Sequence, residues 1–227
     1  MKNFSISQIV SCHICPVRYY LELSEKNREE PENYTIAKQI SYHLGDETQY
    51  GTKQEDEVWA EIKTVNPDID EALYETYRTW SQACRGNTWR KASENDVKVS
   101  SKTYNLHGVI DRWFESPPHI ALIRMTPAPD TGVYNADRVR AALFSICARE
   151  SLHTDADEII IEYIPSGVRR ICKVSPRDRR EALAALKKAE KIAAGTVPMP
   201  RKTDRCNTCY LKERCIDAPK KLSDIIG

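Results

Sequence analysis

The spacing of apolar residues divides the chain into two stretches with different periods. In the first, Val17, Tyr20 and Leu21, then Ile36, Ile40 and Leu44, then Ala72, Leu73, Tyr77 and Trp80 recur at the spacing of one helix face. Ser5 is placed to cap a short helix through Cys12, and Pro16 fits the first turn of a second helix running through Leu23. Residues 31–64 and 68–84 predict further helices. Beyond them the period shortens. Val97–Val99, Leu106–Phe114, Ile120–Met125, Glu158–Ile164 and Arg169–Val174 are rich in β-branched residues and separated by Gly, Pro or Ser, which predicts five strands. A helix at about 135–152 separates the third strand from the fourth, and Pro176 opens another that ends near Gly195. Three consecutive strands, a crossover helix and a returning strand describe an α/β fold with a mixed sheet flanked by helices. With no internal repeat or long linker, one domain over 1–227 is expected: a helical part at 1–90, a sheet-bearing core at 91–195 and a cysteine-rich end at 196–227.

Charge sharpens this division. The net charge of +1 conceals 15 acidic against 5 basic residues between Glu22 and Glu75, and 14 basic against 5 acidic between Arg169 and Arg214. A basic block of that density suits phosphates, although a solvated helix face paired with the acidic half would look the same. No apolar run reaches the length of a membrane span, so no membrane partner is expected. The first residues, MKNFSISQIVSCHICP, lack the features of a secretory signal. The expectation is a cytoplasmic protein whose 8 cysteines serve as thiols and metal ligands rather than disulfides.

Four of those cysteines frame the chain. Cys206, Cys209 and Cys215 form C-x2-C-x5-C in a polar tail, and Cys15 lies in Cys-Pro-Val-Arg-Tyr-Tyr near the start. Three thiols so closely spaced read as metal ligands, and Cys15, beside a proline that fixes the backbone, is the candidate for the fourth. Thiolates select zinc or iron–sulfur centres over hard cations. Cys12-x2-Cys15 and Cys206-x2-Cys209 also form two C-x2-C knuckles, a pattern that suits a zinc-stabilised interaction module. Cys84, Cys147 and Cys172 lie in apolar stretches as small buried hydrophobes, and His13, His107, His119 and His153 show no ligand spacing.

The order of parts resembles the RecB-like nucleases of the PD-(D/E)XK superfamily, and more closely the iron–sulfur exonuclease family associated with CRISPR adaptation. A Cys-Pro segment, a helical stretch with a lone His, Gly108-Val-Ile-Asp111 on a strand, a neighbouring strand, a following helix and the terminal C-x2-C-x5-C carry that resemblance over nearly the whole chain. It implies a restriction-endonuclease-like core, a 4Fe-4S cluster on Cys15, Cys206, Cys209 and Cys215, and a divalent-metal site that cuts DNA. It also implies DNA, single-stranded or at strand ends, and CRISPR adaptation proteins as partners.

Residue by residue, the implied metal site is incomplete. His43 and Asp111 match the family's ligands, the first without the glycine usually just upstream. The plainer alternatives are a core or surface histidine and a strand-terminal aspartate pairing with Arg112. On the next strand Leu122 stands where the family has a carboxylate and Arg124 where it has Lys; on the following helix Arg140 and Phe144 replace Gln and Tyr. Mg²⁺ or Mn²⁺ needs hard oxygen ligands, and an always-protonated Arg does not replace a catalytic Lys. The expectation is a degenerate nuclease that binds DNA, with Arg124 and Arg140 offered to phosphate and the cation bound weakly or not at all. An active exonuclease using a migrated carboxylate, Glu115 or Asp130, is the enzymatic alternative.

Overall fold

The computed structural model describes residues 3–24, 31–45 and 55–216. The helical part comprises β1 (Phe4–Ser5), α1 (Ile6–Ile14), α2 (Pro16–Glu22), α3 (Glu32–Tyr42), α4 (Glu55–Val65), a 3-10 turn at Glu71–Leu73 and α5 (Tyr74–Arg85). The remainder comprises β2 (Glu94–Ser101), β3 (Leu106–Trp113), β4 (Ile120–Arg124), α6 (Asn135–Ser151), β5 (Glu158–Tyr163), β6 (Val168–Lys173), α7 (Pro176–Ala193) and α8 (Lys212–Ile216).

Local chemistry sets these boundaries. Ser5 and Gln8 form a capping box at the start of α1, satisfying backbone donors that the first helical turn leaves open. Cys15, in an extended conformation, ends α1 and caps α2, whose first turn accepts Pro16. Ser175 and Asp178 repeat the box at α7, again with proline in the first turn. The helix expected over 31–64 is two helices, and residues 46–54 of that range lie outside the described residues. The helix expected from 68 starts at Tyr74, because Asp70 accepts from the Ala72 N–H and closes a 3-10 turn instead.

The architecture is α/β, with an open, mixed six-stranded sheet flanked by helices. β2 runs antiparallel to β3 along its whole length, from Glu94 opposite Trp113 to Ser101 opposite Leu106. The other edge of β3 is shared: β1 pairs with it in parallel at Leu106 and His107, and β4 pairs antiparallel at Arg112 and Trp113. β4 continues in parallel to β5, and β5 antiparallel to β6. Two strands diverging from one edge of β3 make a fork, and Gly108 to Asp111 lie in it. A Cβ on Gly108 would stand 2.8 Å from Ile6 Cδ1 and 3.0 Å from the Phe144 ring, so a larger residue there would push both side chains aside.

The larger core lies around α1, α6, α7 and the sheet, and contains Leu122 and Phe144; a second unites α3, α4 and α5 with Ile123 and Ile164. A fully buried Arg112 bridges strands by donating to Glu162 at 2.6 Å and to the carbonyl oxygens of Leu44, at 2.8 Å, and Arg90. No described helix is long and apolar enough to cross a membrane.

Candidate functional site

The fork positions Asp111. Past the last paired residues of β3 and β4, its Oδ2 accepts the Ile123 N–H at 2.9 Å and so continues the ladder with a side chain. Oδ1 accepts the Tyr34 hydroxyl of α3, also at 2.9 Å. Burial pushes this carboxyl up, against the two hydrogen bonds and the positive charges of Lys38 and Arg140. Both oxygens are engaged within the protein, and Lys38 and Arg140 place positive charge near them.

The rest of the implied metal site is apolar or committed elsewhere. Leu122 is 1% exposed in the main core, and Phe144 packs over Gly108. Arg124 Nε lies 2.7 Å from Asp137 Oδ1, close in charge but out of line for an N–H···O bond. Asp137, on the first turn of α6, is buried and accepts the Tyr163 hydroxyl at 2.9 Å. Arg124, expected from the sequence to be offered to phosphate, is instead held by a buried acid. Arg140 is half-buried, its Nε has no partner among the described residues, and burial together with Arg124 lowers its guanidinium to about 10.

His43 ends α3 nearly buried, with Nε2 2.7 Å from Glu61 Oε2 of α4. The sequence reading did not single out Glu61, which lies in a run of acids that reads as a solvated face. Glu115 and Asp130 are exposed, in the loops after β3 and β4. Among the described residues, no three His, Cys, Asp or Glu side chains group so as to hold a metal ion.

The cysteines separate into two kinds. Cys12, Cys84, Cys147 and Cys172 are buried, and burial raises their thiols to about 11, 12, 12 and 11 respectively. Cys15, Cys206, Cys209 and Cys215 are half-buried. The Cys15 sulfur accepts the Arg18 N–H at 3.4 Å, and the Cys206 sulfur accepts the Thr203 N–H at 3.4 Å. That contact, the Thr203 hydroxyl and then Lys202 and Lys212 hold the Cys206 thiol below its ordinary value. Burial raises Cys215, and the charges of Cys15, Cys206 and Cys209 add to it. The four thiols thus lie in one region, with Cys15, Cys206 and Cys209 lining one cleft and their charges bearing on Cys215, but no three of them stand close enough together to hold a metal ion as placed. Four such thiols fit a thiolate-bound metal or iron–sulfur group by donor chemistry.

Beside them opens a cleft of about 1000 Å³ that runs from Cys15, Cys206 and Cys209 to Arg124 and Asp137. Its cationic residues are Arg18, Arg124, Lys188, Lys191, Arg201 and Arg205, and its one acid, Asp137, is already paired with Arg124. The basic block in the sequence points to this surface only in sum, since the individual cations come from α2, β4, α7 and the tail. The chain matches no protein-family model, and no curated protein matches it.

Proposed function

We propose that this chain is a nucleic-acid-binding protein with a restriction-endonuclease-like fold of the RecB-like, PD-(D/E)XK kind, related to CRISPR adaptation nucleases, whose cation site no longer supports DNA cleavage. The observation that carries this reading is the reversal of charge at the fork. Asp111 has both oxygens occupied, Leu122 contributes no ligand, and the positive charges of Lys38 and Arg140 bear on the carboxylate. A divalent cation there would gain one anionic ligand and meet the repulsion of the half-buried Arg140 guanidinium. The cleft beside it offers cations at phosphate-binding density.

The thiols Cys15, Cys206, Cys209 and Cys215 would hold a 4Fe-4S cluster, which would staple the first helices to the tail. The burial of Cys12 in the core supports this set over one that pairs Cys12 with Cys15 around zinc.

Both activities are to be measured on one anaerobically purified preparation, with single-stranded and duplex DNA. DNA binding is expected without added metal and should weaken steeply with salt, while cleavage in Mg²⁺ or Mn²⁺ is absent or very slow. Robust metal-dependent degradation, abolished by Asp111→Ala, would restore the exonuclease reading. Undetectable or salt-insensitive binding would instead favour a protein-interaction module.

A further inference from the structure

Glu22, the last residue of α2, joins three segments of the chain. Its side chain is 10% exposed. Oε2 accepts the Ser11 hydroxyl of α1 at 2.6 Å, and Oε1 accepts both Arg18 Nε at 2.8 Å and the Tyr210 hydroxyl at 2.5 Å. The Arg18 guanidinium lies 5.4 Å from the centre of the Tyr210 ring, and Arg214 donates to the Ser24 hydroxyl at 3.3 Å.

Tyr210 is 60% exposed, so apolar burial does little to seat it; its hydroxyl and the cation above its ring do. Tyr210 follows Cys209 directly, and Glu22 closes the helix that Cys15 caps. Fixing Tyr210 on Glu22 therefore fixes the C-x2-C segment against Cys15. Charge-assisted hydrogen bonds to a shielded carboxylate are among the stronger polar contacts available.

We propose that Glu22, acting through Tyr210 and Arg18, is a latch that seats residues 201–215 on α2 without help from metal, so that the segments bearing the four thiols are held near one another before a metal group is loaded. Its purpose, though not its geometry, rests on the reading of those thiols as ligands.

The test uses the full chain, freed of metal, and follows tryptic cleavage after Arg201, Lys202, Arg205, Lys212 and Arg214. Glu22→Gln and Tyr210→Phe should each speed tail cleavage about tenfold over metal-free wild type. The double variant should be no faster than Glu22→Gln, because both changes remove the same contact. Tyr210→Phe alters an exposed hydroxyl and keeps the ring, so it remains informative should Glu22→Gln perturb α1. In loaded protein, the rate at which a chelator strips the metal should rise in the same order. Equal tail cleavage in metal-free wild type and Tyr210→Phe, or additive effects in the double variant, would overturn the latch. A wild type that takes up neither iron nor zinc would refute the ligand reading, while the metal-free comparison still decides the latch.

Discussion

The thiol region and the fork around Asp111 both draw polar side chains from distant segments into one part of the molecule. Their surroundings differ. At the thiol centre, N–H groups of Arg18 and Thr203 point at sulfur, lysines flank Cys206, and the four side chains are only half-buried. At the fork, burial opposes the ionised carboxylate, and its two oxygens serve the Ile123 amide and the Tyr34 hydroxyl. Both carboxylate oxygens at the fork are spent on short contacts within the protein, whereas the thiol sulfurs of Cys15 and Cys206 take only long N–H contacts. By that measure Asp111 now completes a sheet.

The comparison breaks most sharply at the cysteines. If the thiols hold an iron–sulfur cluster, Cys215→Ala should abolish its brown chromophore and the bound iron. Cys12→Ala, in the core, should keep both and lose only about 1 kcal/mol of stability. Visible absorption and metal analysis of the two purified variants decide it. Zinc retained in Cys215→Ala but lost in Cys12→Ala would remove the iron–sulfur assignment and leave the interaction module.

A reconstruction of the fork is the next largest effect. Leu122→Glu with Arg124→Lys would install the carboxylate and lysine of the proposed nuclease pattern, but it places a carboxylate at a position 1% exposed and loosens the hold on Asp137. An uncompensated buried charge of this kind costs about 3–5 kcal/mol. Mn²⁺ should restore part of that loss in the double variant and leave wild type unchanged, because a ligand stabilises the state that binds it. Thermal unfolding with and without Mn²⁺ reads this directly, and an equal response in both proteins would show that the fork has no cation-binding geometry to recover.

The two regions were also unequally legible in the sequence. The spacing of Cys206, Cys209 and Cys215 is local, and so are the caps at Ser5 and at Ser175 with Pro176; a short window of sequence carries each of them. The fork is not local. It arises because β1, only Phe4 and Ser5, shares an edge of β3 with β4, and two residues leading into a helix carry no strand period. Asp137 and Glu61 were missed for a related reason: one looks like an ordinary first-turn acid and the other like part of a solvated acidic face. Only tertiary packing pairs them with Arg124 and His43.

The cleft offers a smaller and more graded test of the thiol side. Lys188 and Lys191 are exposed on α7, so replacing both with Ala should leave the fold intact. DNA affinity is expected to fall about tenfold at moderate salt, with the slope of log K against log salt reduced by about 1–2. An unchanged slope would move the nucleic-acid path away from the cleft.

The helix that carries those lysines is anchored by Asp178, and this gives the smallest effect. Burial works against the Asp178 carboxylate, but a two-pronged contact from Arg138, at 2.8 and 2.7 Å, and the Ser175 hydroxyl and amide outweigh it and lower the group from 3.8 to about 2. A folded-state value below the unfolded one means that the contribution is complete above the unfolded value and is lost as pH falls through about 2. Asp178→Asn cannot form the same paired charge contact with Arg138, and it should cost about 1–2 kcal/mol at neutral pH. The gap between wild type and variant, followed by urea unfolding from pH 6 downward, should stay level until about pH 4 and then close. A gap that persists unchanged into strong acid would mean that Asn loses shape or packing at the cap rather than charge, and α7 would then owe its orientation beside the cleft to its apolar face alone.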